Sequence, residues 1–254
     1  TLVKSISNDE NRFKRINVQK IGSLTDLFNS PINKVSFDVN SHENLDSISK
    51  ALVEEGKTEV NFNIVVDDKS LKLLGEKTIL ETIIDRLSPQ VNRIVLNANG
   101  DPIRFSKFEI PVIQDQTNEF LGPLAGILSG LDWASENGFS QIVTVAADTP
   151  FFPLNLVKRL TYERKNNSSS IVLASTPDGN NSQSIHPTFG LWEVSLREDL
   201  RNSLNDGIRK MVKWTARHQS SSCVFTEGKF DRFFNINTPE DIFLAEDIID
   251  KGWV

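Results

Sequence analysis

The chain has 254 residues, a formal net charge of −6 and a single cysteine, Cys223. The acidic balance argues against broad, sequence-independent nucleic-acid binding, and no apolar run approaches the roughly 20 residues that a membrane span needs. A lone cysteine excludes an internal disulfide and a cysteine-based metal cluster, which fits a protein of the reducing cytoplasm.

The first 66 residues differ in pattern from the rest of the chain. Residues 1–27 are polar and mixed, and residues 30–33 are typical of a turn. A strand, a helix and a second strand are predicted after them, over residues 34–39, 43–54 and 59–66. This order indicates a small α+β segment, so we predict a domain boundary between residues 66 and 67.

From residue 78 onward, helices and strands alternate. Apolar residues at helical spacing predict helices over residues 78–87, 124–136, 153–163, 194–204 and 239–249. Short apolar runs predict strands over residues 93–96, 110–113, 141–146, 170–174, 188–194, 223–226 and 233–236. Such alternation favours right-handed crossovers and a three-layer α/β architecture with a mainly parallel sheet.

Asp148 follows the apolar strand predicted over residues 141–146, and two prolines, Pro150 and Pro153, come shortly after it. This pattern is typical of the carboxyl end of a buried parallel strand, where open α/β sheets bind their ligands. A carboxylate at that position is suited to hold a divalent cation against a phosphate.

Two other predicted strands also end on polar residues. Asn97 follows the strand at 93–96, and Asp115 follows the strand at 110–113. In a parallel sheet these ends share one edge with Asp148, where an amide and two carboxylates could read a nucleoside and hold Mg²⁺. An ordinary polar loop explains any one of these residues equally well, whereas the three together favour a site.

Three weaker signals accompany this edge. Gly122 and Gly126 flank a helix entry that can offer backbone N–H groups to an anion, although Gly-Pro also simply begins helices. Lys69 has the charge to contact a phosphate, but a solvated surface lysine is the commoner case. His186 has no partner histidine at ligand spacing and is more often structural. Neither a nucleophile elbow nor a Walker-type loop is present in the sequence.

Taken in order, these segments resemble the molybdenum cofactor guanylyltransferases, within the MobA-like nucleotidyltransferases. The resemblance runs from about Asp67 to Ala245 and implies a Rossmann-like nucleotidyltransferase fold. The segments that carry it are DKSLKLLGEKTILETIIDRLSPQVNRIVLNAN, IPVIQDQ, FLGPLAGILSGLDWA, VAADTPFFP, HPTFGLW and FFNINTPEDI.

The resemblance implies a reaction that joins GMP from GTP to molybdopterin and releases pyrophosphate, with Mg²⁺ and without a protein nucleophile. Lys69 and Asp148 would be catalytic, and Asp148 would bind the metal. The implied GTP-binding residues are Lys69, Asn97, Asp115, Gly122, Gly126 and Asp148. The implied molybdopterin-side residues are His186, Asn235 and Asn237. Molybdoenzymes and other cofactor-biosynthesis proteins are the implied partners.

The sequence departs from the family pattern at one place. The family has a glycine-rich phosphate loop, LAGGxSxRMG, before the Asp-Lys pair, whereas here Val66 runs straight into Asp67-Asp68-Lys69 with no glycine between Gly56 and Gly75. Two alternatives therefore stay open: a nucleotide-binding pseudoenzyme of the same fold, or a cytidylyl or sugar-phosphate nucleotidyltransferase.

The sequence of residues 2–68 suggests a cause for the absence of the phosphate loop. The segments RINVQKIGSLTDLF and VSFDVNSHENLDSISKALVEEGKTEVNFNIVVDD resemble the carboxyl-terminal region of the bacterial DNA polymerase III alpha subunit. This resemblance leads to the hypothesis that residues 1–66 are a fused segment that replaces the first strand and the phosphate loop. Three origins of the junction stay open: a natural fusion, an assembly error and a missing segment.

Overall fold

A computed structural model describes residues 14–15, 35–36, 58–115, 122–178, 182–226 and 228–254. Contacts divide the chain into two compact units, Thr1–Glu55 and Gly56–Val254. In the first unit the described residues form two parallel strands, Lys14–Arg15 and Val35–Ser36, and the second of these falls within the strand predicted at 34–39. The helix predicted at 43–54 lies outside the described residues, and the polymerase resemblance stays a prediction.

The second unit is built on a seven-stranded sheet. The described strands of this unit are β1 Thr58–Val65, β2 Leu73–Leu74, β3 Lys77–Thr78, β4 Val91–Asn97, β5 Val112–Ile113, β6 Gln141–Ala146, β7 Ile171–Pro177, β8 Gln183–Glu193 and β9 Ser220–Val224. Strands β2 and β3 form a separate antiparallel hairpin, and the other seven form the large sheet. The strand order in the large sheet is β9-β7-β8-β6-β1-β4-β5. Only β8 runs antiparallel to its neighbours among the described strands of this sheet, so the predicted mainly parallel sheet is confirmed.

Six α-helices accompany the sheet in the described part of the second unit. They are α1 Ile79–Leu87, α2 Pro123–Glu136, α3 Leu156–Asn167, α4 Arg197–Asn205, α5 Met211–Thr215 and α6 Pro239–Asp250. Side chains along β6 alternate between two apolar cores: Val143 belongs to the core that includes residues of α1, α3 and α6, and Ile142 belongs to the core that includes residues of α2, α4 and α5. The three-layer α/β architecture is therefore confirmed. No helix in the described ranges is long and apolar enough to cross a membrane.

Local chemistry explains why several predicted elements were right. Thr78 caps α1 through a reciprocal pair with Glu81: the Glu81 N–H donates to Thr78 Oγ1 at 3.1 Å, and the Thr78 N–H donates to Glu81 Oε2 at 2.6 Å. Gly122 begins α2 with a φ of +73°, a conformation that favours glycine.

Several boundaries differ from the predictions: the helix predicted at 194–204 begins at Arg197, and the strand predicted at 110–113 is Val112–Ile113. The helix predicted from Pro153 begins at Leu156, because the Leu156 N–H first closes a turn onto the Pro153 carbonyl at 3.0 Å. The strand predicted at 188–194 begins earlier, at Gln183, and the strand predicted at 223–226 is Ser220–Val224.

The strand predicted over residues 233–236 was wrong. Phe233 and Ile236 are buried, which is why the segment is rich in apolar residues, but they fill the core from an irregular segment. Its backbone is held to the sheet edge where the Ile236 N–H donates to the Asp148 carbonyl at 2.7 Å.

Strand β1 lies in the middle of the sheet, between β6 and β4. The strand predicted at 59–66 thus forms and completes the sheet. The compact unit that contains it begins at Gly56, ahead of the domain boundary predicted after Val66. The domain boundary between residues 66 and 67 stays a prediction.

Candidate functional site

The carboxyl ends of β6, β1, β4 and β5 meet at one edge of the sheet. Val65, the last residue of β1, is in register with Ala146 of β6 and with Asn97 of β4, and Asn97 is in register with Ile113 of β5. Since neighbouring strands lie about 4.8 Å apart, the ends of β6 and β4 are roughly 10 Å apart, with the end of β1 between them.

Asp115 is held by the side chains that surround it on the β4–β5 side of this edge. Its Oδ1 accepts from Asn97 Nδ2 at 3.1 Å, and its Oδ2 accepts from Asn99 Nδ2 at 2.9 Å. The Asp115 N–H donates in return to Asn99 Oδ1 at 3.0 Å, and Ser129 Oγ of α2 lies 3.4 Å from Asp115 Oδ1. The carboxylate is thus fixed in orientation. It retains acceptor capacity, because a carboxylate offers about four acceptor positions.

Asn99 and Ser129 were missed by the sequence reasoning. Asn99 stands two residues after Asn97, and this spacing was the available signal, since alternate residues of an extended segment point the same way. Ser129 gave no such signal, because its contact with Asp115 depends on how α2 packs.

Asp148 and Asn235 are brought together on the β6 side of the edge. The hydroxyl of the fully buried Thr149 lies 2.9 Å from Asp148 Oδ1 and 2.6 Å from Asn235 Oδ1. A hydroxyl has one proton to donate, so it can serve only one of these oxygens at a time. Asp148 therefore keeps acceptor capacity, and it is half-buried at the sheet edge.

Lys69 lies in a short turn that follows β1 directly. Asp67 caps the 3-10 helix Asp68–Leu71, and its Oδ1 accepts from the Lys69 N–H at 3.0 Å. The Val66 N–H is bonded to the Asn97 carbonyl, and the Ser70 N–H to the Asp67 carbonyl. The N–H groups of Val66, Lys69 and Ser70 are thus occupied within the protein and are not offered to an anion, unlike the amides of a glycine-rich loop. The Lys69 side chain itself is exposed.

The predicted helix entry at Gly122 is confirmed as the start of α2. The residues just before it, 116–121, lie outside the described part of the chain. Gly126 is buried one turn into the helix, and Ser129, close to Asp115, follows it. The first two turns of α2 therefore reach the same sheet edge as Asp115.

His186 lies against the irregular segment that also carries Asn235. Its ring stacks on Phe233, with centroids 4.2 Å apart, and its Nε2 is 3.0 Å from Thr176 Oγ1. Asn237 is exposed at the start of α6, and its N–H donates to Asp241 Oδ2 at 2.9 Å. The three residues predicted for the second substrate therefore lie on β8 and on the segment that ends at α6.

Burial lowers the pKa of His186 below 6.5, with the charge of Asp231 opposing this shift in part. Because the pKa is depressed in the folded state, the His186 contribution to the unfolding free energy is complete above about pH 6.5 and is lost as pH falls through the folded pKa. We therefore expect the stability of the wild type to fall with acidification below pH 6.5 more steeply than that of His186→Asn. Urea denaturation at several pH values measures this difference, and parallel pH profiles for the two proteins would contradict it.

A family model described as the MobA-like NTP transferase domain matches residues 65–221. A molybdenum cofactor guanylyltransferase of Nitrobacter hamburgensis is 44% identical over 182 residues, which cover 70% of this chain and 85% of that protein. One of Mesorhizobium japonicum is 41% identical over 189 residues, covering 72% and 88%.

Two solved structures share the fold. Molybdopterin-guanine dinucleotide biosynthesis protein A of Archaeoglobus fulgidus has a TM-score of 0.59 and 23% identity, and the match covers 76% of this chain and 100% of that one. The 2-C-methyl-D-erythritol 4-phosphate cytidylyltransferase of Thermus thermophilus has a TM-score of 0.60 and 15% identity, with the same coverage. At sequence identities this low, the two structures indicate a shared fold and nothing more.

Proposed function

Since the chain belongs to the MobA-like NTP transferase family, we propose that it transfers GMP from GTP to molybdopterin and releases pyrophosphate. The observation that carries the proposal is the shared sheet edge, with the Asn97–Asp115 pair on one side of the β1 end and Asp148 on the other. The ends of β4 and β6 are roughly 10 Å apart, which suits a nucleotide lying across the edge, with its base at one end and its phosphates at the other.

Asp115 is the proposed reader of the guanine base. Guanine presents a ring N–H and an exocyclic amine side by side, and an oriented carboxylate can accept from both. Cytosine carries an acceptor where guanine has the ring N–H, so a fixed carboxylate would reject it. Asn97 and Asn99 support this role because their amides hold the carboxylate in one orientation.

Asp148 is the proposed ligand of Mg²⁺. Mg²⁺ commonly binds through one or two carboxylates, with phosphates and water completing its shell. The donor set fits that case: within the described ranges no cluster of three or more His, Cys, Asp and Glu side chains could hold a metal alone, and Asp148 offers its carboxylate at the edge. When bound, the ion would neutralise phosphate charge.

The transfer needs positioning more than covalent chemistry. In the proposed reaction a molybdopterin phosphate attacks the α-phosphate of GTP in line, and the bond from that phosphorus to the pyrophosphate oxygen breaks. Lys69 would neutralise charge on the phosphates, and the Asn97–Asp115 pair would fix the nucleoside. His186, Asn235 and Asn237 would contact molybdopterin, with His186 as a neutral hydrogen-bonding group because of its lowered pKa.

A second candidate function follows from the occupied amides around Lys69. A protein of this fold without a backbone cradle for the triphosphate could bind a nucleotide and yet fail to turn it over. That is the pseudoenzyme alternative, and it differs from the first proposal in turnover but not in base recognition.

We propose a cytoplasmic location, which the buried, unpaired thiol of Cys223 supports. Molybdoenzymes and other cofactor-biosynthesis proteins are proposed as partners on the basis of the family relationship.

The experiment that tests the function measures pyrophosphate release from purified protein with Mg²⁺, molybdopterin and either GTP or CTP. We expect release with GTP. Asp115→Asn should lower kcat/KM for GTP by about tenfold to a hundredfold, because one hydrogen bond to a charged group is lost and an NH₂ group is turned toward Asn97 or Asn99.

The matched control is Asp206→Asn, which changes a carboxylate at the end of α4 and should leave the rate unchanged. Release with CTP in place of GTP would support the cytidylyltransferase alternative. Nucleotide binding without release from either substrate would support the pseudoenzyme.

A further inference from the structure

Arg104 connects the turn that carries Lys69 with the β4–β5 side of the candidate site. It lies in the 3-10 helix Pro102–Phe108, which follows β4. Its Nη1 is 2.5 Å from Asp68 Oδ1, and its Nη2 donates to the carbonyl of Asn99. Asp68 precedes Lys69, and the side chain of Asn99 holds Asp115. One guanidinium therefore bridges the Lys69 turn and the group formed by Asn97, Asn99 and Asp115, which we call the base side.

The arginine is itself well anchored. Its guanidinium lies 4.9 Å from the ring centre of Phe105, which is fully buried, and its own side chain is 29% exposed against 74% for Asp68. An exposed ion pair of this kind adds little to stability by itself. We therefore expect the Arg104–Asp68 contact to act on the relative position of the Lys69 turn and the β4 loop and to have little effect on the free energy of unfolding.

Asn99 links Arg104 to Asp115. Its side chain makes a two-point contact with Asp115, through Nδ2 to Oδ2 at 2.9 Å and from the Asp115 N–H to Oδ1 at 3.0 Å. Its carbonyl is the group that Arg104 holds. A shift of Arg104 would thus act on Asp115 through one residue and on Lys69 through its neighbour.

We propose that Arg104 is a positioning residue that sets the Lys69 turn against the guanine-binding pair, and so couples base recognition to phosphate binding. The proposal rests on the proposed function for the identity of the nucleotide. Its physical basis is the planar fork of the guanidinium, which serves two acceptors at fixed separation, whereas a lysine ammonium cannot hold both in one geometry.

The coupling is tested by comparing the Kd values for GTP and GMP, measured calorimetrically. The wild type should prefer GTP about tenfold or more, because Lys69 adds a charged contact to the further phosphates. Arg104→Ala should remove most of this preference while weakening GMP by less than about threefold. Arg104→Lys should resemble Arg104→Ala, and Asp68→Asn should reduce the preference in the same direction.

A merely structural role in the β4 loop predicts a different result. In that case GMP and GTP would weaken by the same factor and the preference would survive, which would overturn the proposal. Lys107→Ala is the matched control, since Lys107 lies in the same 3-10 helix and pairs with Glu81 on the surface. It should leave both Kd values unchanged.

A nucleotide-free measurement separates this proposal from the proposed function. In hydrogen–deuterium exchange, Arg104→Ala should speed exchange of the amides at 68–72 and leave those of α1 unchanged. If the wild type binds neither GTP nor GMP, the proposed function fails and the exchange result alone decides on Arg104. Unchanged exchange at 68–72 would overturn the positioning role.

Discussion

Asp148→Ala is expected to abolish pyrophosphate release, with a loss of at least about a thousandfold in kcat. Charge neutralisation by a phosphate-bound cation contributes several kcal/mol to a transition state, and each 1.36 kcal/mol is tenfold in rate. The fold should tolerate the change, because the Thr149 hydroxyl can turn to Asn235, 2.6 Å away. A stopped assay with GTP, Mg²⁺ and molybdopterin measures the effect, with the melting temperature as a check on folding.

Two further variants make this test specific. Asp148→Asn keeps the size of the side chain and an acceptor for Thr149 but loses the negative charge, so it should be nearly as inactive as Asp148→Ala. Asp247→Asn alters a carboxylate on α6 that pairs with Lys251, and it should retain full activity. Wild-type rates in Asp148→Asn would show that the charge at this position has no part in the reaction.

The sequence was informative wherever one segment determined its own structure. The apolar spacing over residues 78–87 predicts α1, whose start the Thr78–Glu81 capping box fixes in the structure, and the run at 141–146 predicts β6 with Asp148 just beyond its end. These features depend on neighbours along the chain, so they can be read from a single sequence. Parallel pairing then requires the strand ends to share an edge, which is why Asn97, Asp115 and Asp148 could be grouped.

Contacts between distant segments could not be predicted in the same way. The run Phe233–Ile236 has the composition of a strand, yet the Ile236 N–H donates to the Asp148 carbonyl and only Phe233 and Ile236 of this run are buried in the core. Arg104 and Ser129 reach the site from a 3-10 helix and from α2, and neither position stands out by composition. Such residues are found only once the packing of the elements is known.

The amides near Lys69 decide how strongly the chain can hold a triphosphate. In the present turn, the Lys69 and Ser70 N–H groups are used by Asp67, and the Val66 N–H extends the pairing of β1 with β4. The exposed Lys69 ammonium can still attract a phosphate, although water and salt screen its charge. The further phosphates of GTP should therefore add about tenfold in affinity over GMP, through Lys69, and no more than a glycine-rich loop would add.

Insertion of a glycine-rich loop of the form LAGGxSxRMG between Val66 and Asp67 is expected to raise GTP affinity by about a hundredfold or more. Each hydrogen bond from a neutral amide to a charged phosphate contributes about 1.5–3 kcal/mol, and such a loop presents several together with an arginine. The insertion point lies one residue beyond Val65, the last residue of β1. Val65 is already in register with both neighbouring strands, so the sheet need not rearrange. Calorimetry with GTP and GMP measures the gain, which should be much larger for GTP.

The control for this insertion is a loop of equal length with its glycines replaced by alanine. Alanine disfavours the positive φ values and close backbone approach that a phosphate cradle needs, so the control should gain little beyond the charge of its arginine. Equal gains from both loops would show that charge alone limits binding. No gain from the glycine loop, with tight GTP binding already present in the wild type, would mean that other groups hold the phosphates and that the occupied amides do not limit this chain.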